Sequence, residues 1–507
     1  MIARILALVM ALLAFSIAPA SAQDGRWRRA ESANFIVYGA MSEGALRRAT
    51  ESLENFDRTL RILTGAAATP AQTKLEVYLV SNLNELQRVN PRMGETVRGF
   101  YHAGAEQIAA FVIYNDQGGL DRGTVLFHEY AHHFMLHYFP DAYPRWYVEG
   151  WAEHVSSIEI RGTRVAVGLP SEHRGDWITY EGILPIEALL APERVRNVDN
   201  FGGRFYANAW FAVIYLSNNP ERRAGLDRYV EALGEGADPI EAFEPAFGIT
   251  PEAFRRELLE FRRSRINVLN FNLPETTIEI AITRLPVAMN DLLLPLARLR
   301  NGAYQQSEIA GFAAEVQALA ARHPSDVAAR IAAARSALLL DDWQAARDQL
   351  DAALTIDAAN TEARYLLARS HLKEGELNPE RGVETLRVAR RELVRGFRAD
   401  PNHFPTLFAY ASTFIQGYGP MSSENLDVLA RSLELAPQAD HIRLTVAREL
   451  MVAREYDAAA AVLRPLLYAP HGGSSARYAR ALFDAARNDQ PPPAFVFDDA
   501  ELEAEAD

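Results

Sequence analysis

The chain contains no cysteine. That excludes disulfides, thiolate metal ligands and a lipidated cysteine. Beyond its first two dozen residues it has no run apolar enough to cross a bilayer. It also lacks any excess of basic charge. With a formal net charge of −14, nucleic acid and an anionic lipid surface are poor partners for the chain as a whole. What is present is ordinary globular material: 507 residues, 49% hydrophobic and 23% charged. At about 150 residues per domain this length predicts two to four domains.

The beginning reads MIARILALVMALLAFSIAPASAQDG. Arg4 supplies a basic start, Ile5 to Ile17 a short apolar stretch, and Ala20-Ser21-Ala22 a small-residue cleavage site. This is the pattern of a secretory signal over 1–22. The chain would then start at Gln23 with a charge of −15 and no membrane span. A large exported protein without disulfides is expected in a bacterial periplasm or secreted. Its size supplies the core that small secreted domains lack.

Residues 23–270 mix strands and helices. NFIVYGA (34–40) and KLEVYLVS (74–81) alternate as half-buried strands do, and Leu46, Leu53, Phe56, Leu60 and Leu63 recur at helical spacing between them. GFYHAG and QIAAFVIYN read as two more strands, and 205–265 as mostly helix. The pattern blurs over 271–305, which is expected to be a linker. Residues 306–490 are alanine- and leucine-rich paired helices. Equivalent turns recur at Pro324, Ala358, Pro401, Pro437 and Pro470. Apart from a longer step between Ala358 and Pro401, their spacing stays close to the period of tetratricopeptide repeats, about 34. In DDWQAARDQLDAALTID, Ala346, Leu350 and Ala353 take small-large-small positions. The longer step fits an insertion around EGELNPERG. Residues 491–507 read as an acidic disordered tail.

The chemistry lies in VLFHEYAHHFML, residues 125–136. A helix turns by 100° per residue, so His128 and His132 share one face. Two imidazoles at i and i+4 can hold one metal ion, and Glu129 can reach a water there. Chance alone gives such a string in roughly one chain in fifty of this length, so context has to carry the reading. The flanks are apolar, as a buried catalytic helix requires. A catalytic zinc wants a third protein ligand and one open position. Without cysteine that ligand is His, Glu or Asp. PRWYVEGWAEHVSS, residues 144–157, offers Glu149 and Glu153 on one helix face among tryptophans. Carboxylates in such surroundings are costly unless a cation offsets them. Glu149 on zinc, with Glu153 bonded to a ligand histidine from behind, would do so.

HEYAH followed by WYVEGWAEH resembles the gluzincin metallopeptidases, whose aminopeptidases carry W-x-x-EG-x-A, and in particular the peptidase-MA-like family. The resemblance implies an α+β zincin-like domain followed by an all-α repeat domain. It implies Zn2+ held by His128, His132 and Glu149, with Glu129 as the base. The interval from His132 to Glu149 is slightly shorter than in the aminopeptidases. RFYANAWFAVIYL resembles their Y…YL pattern, which makes Tyr206 the oxyanion donor; His173 is a second candidate. Their G-A-M-E-N string is missing. AGAEQ (103–107) is too weak a match to take its place, which leaves endo- or exopeptidase action open. QIAAFVIYN is expected to be the edge strand on which an extended peptide lies. His133 and His137 also stand at i and i+4, but away from the His128 face, and are read as structural or exposed.

The implied activity is hydrolysis of peptide bonds by a zinc-activated water, with the repeats binding a peptide or protein. Three alternatives stand beside it. One is an inert peptidase fold used as a binding module. Another is an adaptor with structural zinc, disfavoured by a glutamate base beside an open position. The last is a hydrolase of something other than peptides.

Overall fold

The computed structural model describes residues 26–114, 124–169, 171–195, 201–415, 419–468 and 473–494, with the backbone alone for Glu172 and His173. The expected signal, 1–22, and most of the acidic tail lie outside these residues.

Nine strands form among them: β1 (Arg28–Glu31), β2 (Phe35–Gly39), β3 (Leu75–Val80), β4 (Gly99–Ala103), β5 (Ile108–Ile113), β6 (Glu159–Arg161), β7 (Arg164–Val167), β8 (Leu269–Asn272) and β9 (Ala281–Arg284). Six make one sheet in the order β4-β5-β3-β2-β1-β9, and β6-β7-β8 make a second. Strands β2, β3 and β5 run parallel; β4, β1 and β9 are antiparallel to their neighbours. The period-2 pattern of β2 buries Phe35 and Val37 and leaves Ile36 and Tyr38 half-buried. Strand β3 is buried on both faces instead, because it is central. Between them runs helix Glu43–Thr64. The Ser42 side chain caps its start by accepting from the Ala45 N–H, and Gly65 at φ 75° ends it. Leu46, Leu53, Phe56 and Leu60 turn into the core. The HExxH helix, Thr124–Tyr138, comes next in the chain after β5.

Residues 271–305 differ from the expected linker. Strand β9 adds to the main sheet beside β1. Helix Met289–Asn301 packs Leu293, Leu294 and Ala297 against Trp27, Tyr78 and Phe111. The blurred pattern has a physical cause: an edge strand and a short helix with one buried stripe leave little periodicity to read.

The C-terminal part is helical. The helices that open successive hairpins start at Val327, Thr361, Phe404, Asp440 and Gly473. Their starts reproduce the intervals between the turns in the sequence, the longer second step included. That step comes from lengthening both helices of one hairpin, Thr361–Leu377 and Gly382–Ala399, around the short turn Pro379–Arg381. Ala346, Leu350 and Ala353 are buried in the hairpin seam.

The hairpins do not stand apart from the sheet. Phe404, Leu407, Leu429, Ile442 and Val446 share one core with Leu53, Phe56, Val77 and Phe134. Glu106, in the β4–β5 turn, pairs with Arg335 at 2.6 Å and also with Arg369. Arg300 grips Glu76 with bonds of 2.9 and 3.0 Å. Arg464 reaches Asp141 at 2.9 Å. The hairpins thus contact the chain's own N-terminal part, through opening helices at Arg335, Arg369 and Phe404 and through the segments that follow them at Leu429 and Arg464.

Candidate metal centre

Three anchors fix the rotation of helix Thr124–Tyr138. Phe127 stacks on Phe56 with ring centroids 4.1 Å apart. The Tyr130 hydroxyl donates to Asp57 at 2.6 Å. Gly99 admits the helix against β4, since a Cβ there would lie 2.8 Å from Val125 Cγ1 and 3.0 Å from the Phe111 carbonyl oxygen. With 127, 130 and 134 turned into the core, 128 and 132 face helix Arg145–Ser156. That second helix starts directly after Pro144, whose φ of −69° and ψ of 151° lie outside the helix. Its Gly150 touches helix Phe201–Asn218: a Cβ would fall 2.3 Å from the Ala209 oxygen and 2.9 Å from Val213 Cγ2. Any side chain at 150 would push the helix carrying Glu149 out of place.

The three residues read as metal ligands come together. His128 and His132 bring their Nε2 atoms within 3.1 Å. Glu149 Oε2 lies 3.6 Å from His128 Nε2 and 3.5 Å from His132 Nε2. Such a group of His and Glu could hold a metal ion. Bonds of 2.0–2.1 Å at a tetrahedral ion set ligand atoms about 3.3 Å apart, and the three distances bracket that value. Glu149 is fully buried, so its negative charge favours a cation in the triangle. The same field acts on His128. Burial works against its protonation, but the Glu149 carboxylate beside it and the charges of Glu129 and Glu153 outweigh this and raise its pKa to about 9.

Glu153 Oε1 sits 3.5 Å from His128 Nδ1. Its main partner is Arg174, which grips it with bonds of 2.8 and 2.6 Å. Arg174 was not singled out in the sequence. The available signal was its place next to His173, in the stretch expected to face the site. Its guanidinium also lies 5.5 Å from the Tyr206 ring centroid. Tyr206, on helix Phe201–Asn218, feels both Glu149 and Glu153. Burial first, and then Glu149, push its hydroxyl pKa up to about 12, with Arg145 acting the other way. His173 falls in helix Glu172–Tyr180, and its side chain lies outside the described residues.

The second histidine pair has a different setting. His133 Nδ1 lies 3.1 Å from the Tyr101 hydroxyl and 3.3 Å from Gln438 Nε2; His137 Nδ1 lies 3.0 Å from the same Gln438 nitrogen. Gln438 comes from the turn before helix Asp440–Val452. No local signal ties it to a helix so much earlier in the chain. Burial drives the pKa of His133 well down and that of His137 to about 4, so both rings are neutral.

One further expectation is overturned by topology. QIAAFVIYN is not an edge strand: β5 lies between β3 and β4, and the end strand on that side is β4. The tight turn at 104–107 folds β4 back over β5. Glu106 in AGAEQ is spent on Arg335 and Arg369. Burial opposes its charge, but the two guanidiniums hold its carboxyl at about 2.

No protein-family model and no curated protein matches the chain. Among solved structures it is similar to a crystal structure of a thermophilic tetratricopeptide-repeat protein from Thermus thermophilus. The identity is 18%, over 40% of this chain and 99% of that chain, with a TM-score of 0.33. The repeat reading of residues 309–487 rests on the chain's own helical hairpins.

Proposed function

We propose that the chain is a zinc-dependent hydrolase of peptide bonds, built on a zincin-like domain and exported to a bacterial periplasm or exterior. The observation that carries this reading is the triangle of His128, His132 and the buried Glu149, whose edges of 3.1, 3.5 and 3.6 Å suit one small cation.

Zinc held by these residues would supply the Lewis acidity that makes water a nucleophile near neutral pH. Glu129, one residue beyond the first histidine, takes the proton from the attacking water and passes it to the leaving amine. Tyr206, with its pKa near 12, keeps its proton and donates to the developing oxyanion. Glu153 orients His128 from behind, and Arg174 orients Glu153. Strand β4, at the end of the sheet beside the HExxH helix, is the natural one for an extended peptide to join by backbone hydrogen bonds. The helical hairpins bind a protein partner with surfaces not used against the sheet.

An inert fold used as a binding module is the second reading. The seam between hairpins and sheet favours it, because that seam gives the HExxH helix a structural role whatever its chemistry. Zinc content and peptide hydrolysis, measured on the parent and on Glu129→Gln, separate the two. One zinc in each with hydrolysis by the parent alone supports the hydrolase. Zinc in each with no hydrolysis favours the inert module. Absence of zinc from both removes the metal reading.

A further inference from the structure

One face of the hairpins has the opposite sign to the chain's net charge of −14. Helix Gly382–Ala399 reads GVETLRVARRELVRGFRA. Its Ala389 and Leu393 belong to the hairpin core. The outward face carries Val383, 88% exposed, with Arg387, Arg391, Arg395 and Arg398, all exposed. Arg395 is bonded to Glu392 and Arg390 to Thr413. Among the described residues, Arg387, Arg391 and Arg398 have no ion-pair partner. At 100° per residue these three lie within about 40° of one another around the helix. Like charges so placed destabilise a helix unless something neutralises them. Leu386, Val394, Arg390 and Tyr410 complete a groove of about 590 Å³ along this row.

We propose that this groove docks an acidic protein segment that also carries apolar side chains. Guanidinium forks match carboxylates two bonds at a time. Val383, Leu386, Val394 and Tyr410 offer apolar contact between them. At 1.5 Å per residue, Val383 to Arg398 spans about 22 Å, the reach of roughly seven extended residues. The hairpin-opening helices are engaged with the sheet through Arg335, Arg369 and Phe404, which leaves this second helix of its hairpin for a partner. Charge decides between classes of polyanion. A membrane or a long nucleic acid meets the field of the whole acidic chain, whereas a short segment within a screening length of about 8–10 Å meets the arginines alone. The inference rests on the proposed protein-binding role of the hairpins and is independent of the metal reading.

The test uses the full chain and a fluorescein-labelled peptide, EELLEELLEELL, followed by fluorescence anisotropy. The parent is expected to bind it. Binding should weaken at least tenfold in Arg387→Glu/Arg391→Glu/Arg398→Glu, and also as salt rises from 50 to 300 mM. The milder Arg387→Ala/Arg391→Ala pair, with an unchanged thermal melt, guards against an unfolded variant and should weaken binding at least threefold. The proposal is overturned if the parent does not bind or the substitutions leave binding unchanged. It is equally overturned if a glutamine version of the peptide binds as well. Tighter binding to phosphatidylglycerol vesicles than to the peptide would assign the groove to lipid and overturn it too.

Discussion

One helix, Thr124–Tyr138, carries two histidine pairs at the same spacing, and their surroundings give them opposite properties. His128 and His132 face a buried carboxylate, Glu149, with Glu153 and Glu129 nearby, and His128 is driven toward the charged form. His133 and His137 face Tyr101 and Gln438, neither ring is paired with a carboxylate among the described residues, and burial keeps them neutral. The i, i+4 spacing aims two imidazoles at one point. Whether that point suits a cation depends on the opposite wall. The first pair meets a helix that brings negative charge. The second meets the hairpins, which bring an amide.

The comparison can be broken by substitution, and the largest effect is expected at the front pair. Glu129→Gln should lower peptide hydrolysis about a thousandfold while zinc, measured by elemental analysis, stays at one per chain. His132→Ala should abolish stoichiometric zinc with little change in the melt of the metal-free protein. His133→Ala should do the reverse, keeping zinc and losing about 2 kcal/mol of stability in a urea titration. If both substitutions remove zinc equally, the two pairs are not distinct.

The seam behind the helix gives the next effect. Glu106→Gln leaves Arg369 without its carboxylate and Arg335 with Glu362 alone, and should cost about 3 kcal/mol at pH 7. The sign with pH follows from its depressed pKa. Its stabilisation is complete above the free value of 4.5 and is lost as pH falls toward about 2. The parent and the variant should therefore differ by a constant margin above pH 4.5 and converge in stability as pH falls from there toward about 2. Gln438→Leu should cost about 2 kcal/mol, by stripping a polar partner from one buried and one half-buried ring, with zinc unchanged. The smallest effect is expected at Arg174→Ala. Glu153 would lose its clamp, and zinc affinity measured by competition with a chelating dye should fall about tenfold.

Much of the site was legible because its logic is local. His128, Glu129 and His132 lie within one turn, and Glu149 and Glu153 within another, so helical periodicity alone assigns their faces. The hairpin spacing was legible for the same reason: each hairpin repeats its turn and its small residues. Arg174, Gln438 and Glu106 were not legible in these roles, because each acts on a partner distant in sequence. The expectation of a linker over 271–305 failed because sheet membership is decided by the neighbouring strand. Strand β9 has only four residues, and it is β1 that makes them a strand.

The sequence by itself therefore determined which residues share a face: His128 and His132 with Glu129 beside them, Glu149 with Glu153, and the hairpin seams. Only the tertiary structure decided what each face meets. It brought Glu149 to within 3.6 Å of both imidazoles, made β4 rather than β5 the end of the sheet, and laid the hairpins against the HExxH helix. The physical reason is that periodicity sets direction along one element, whereas contacts between elements depend on close packing. A single Cβ at Gly150, 2.3 Å from a neighbouring carbonyl oxygen, would be enough to separate the carboxylate from its histidines.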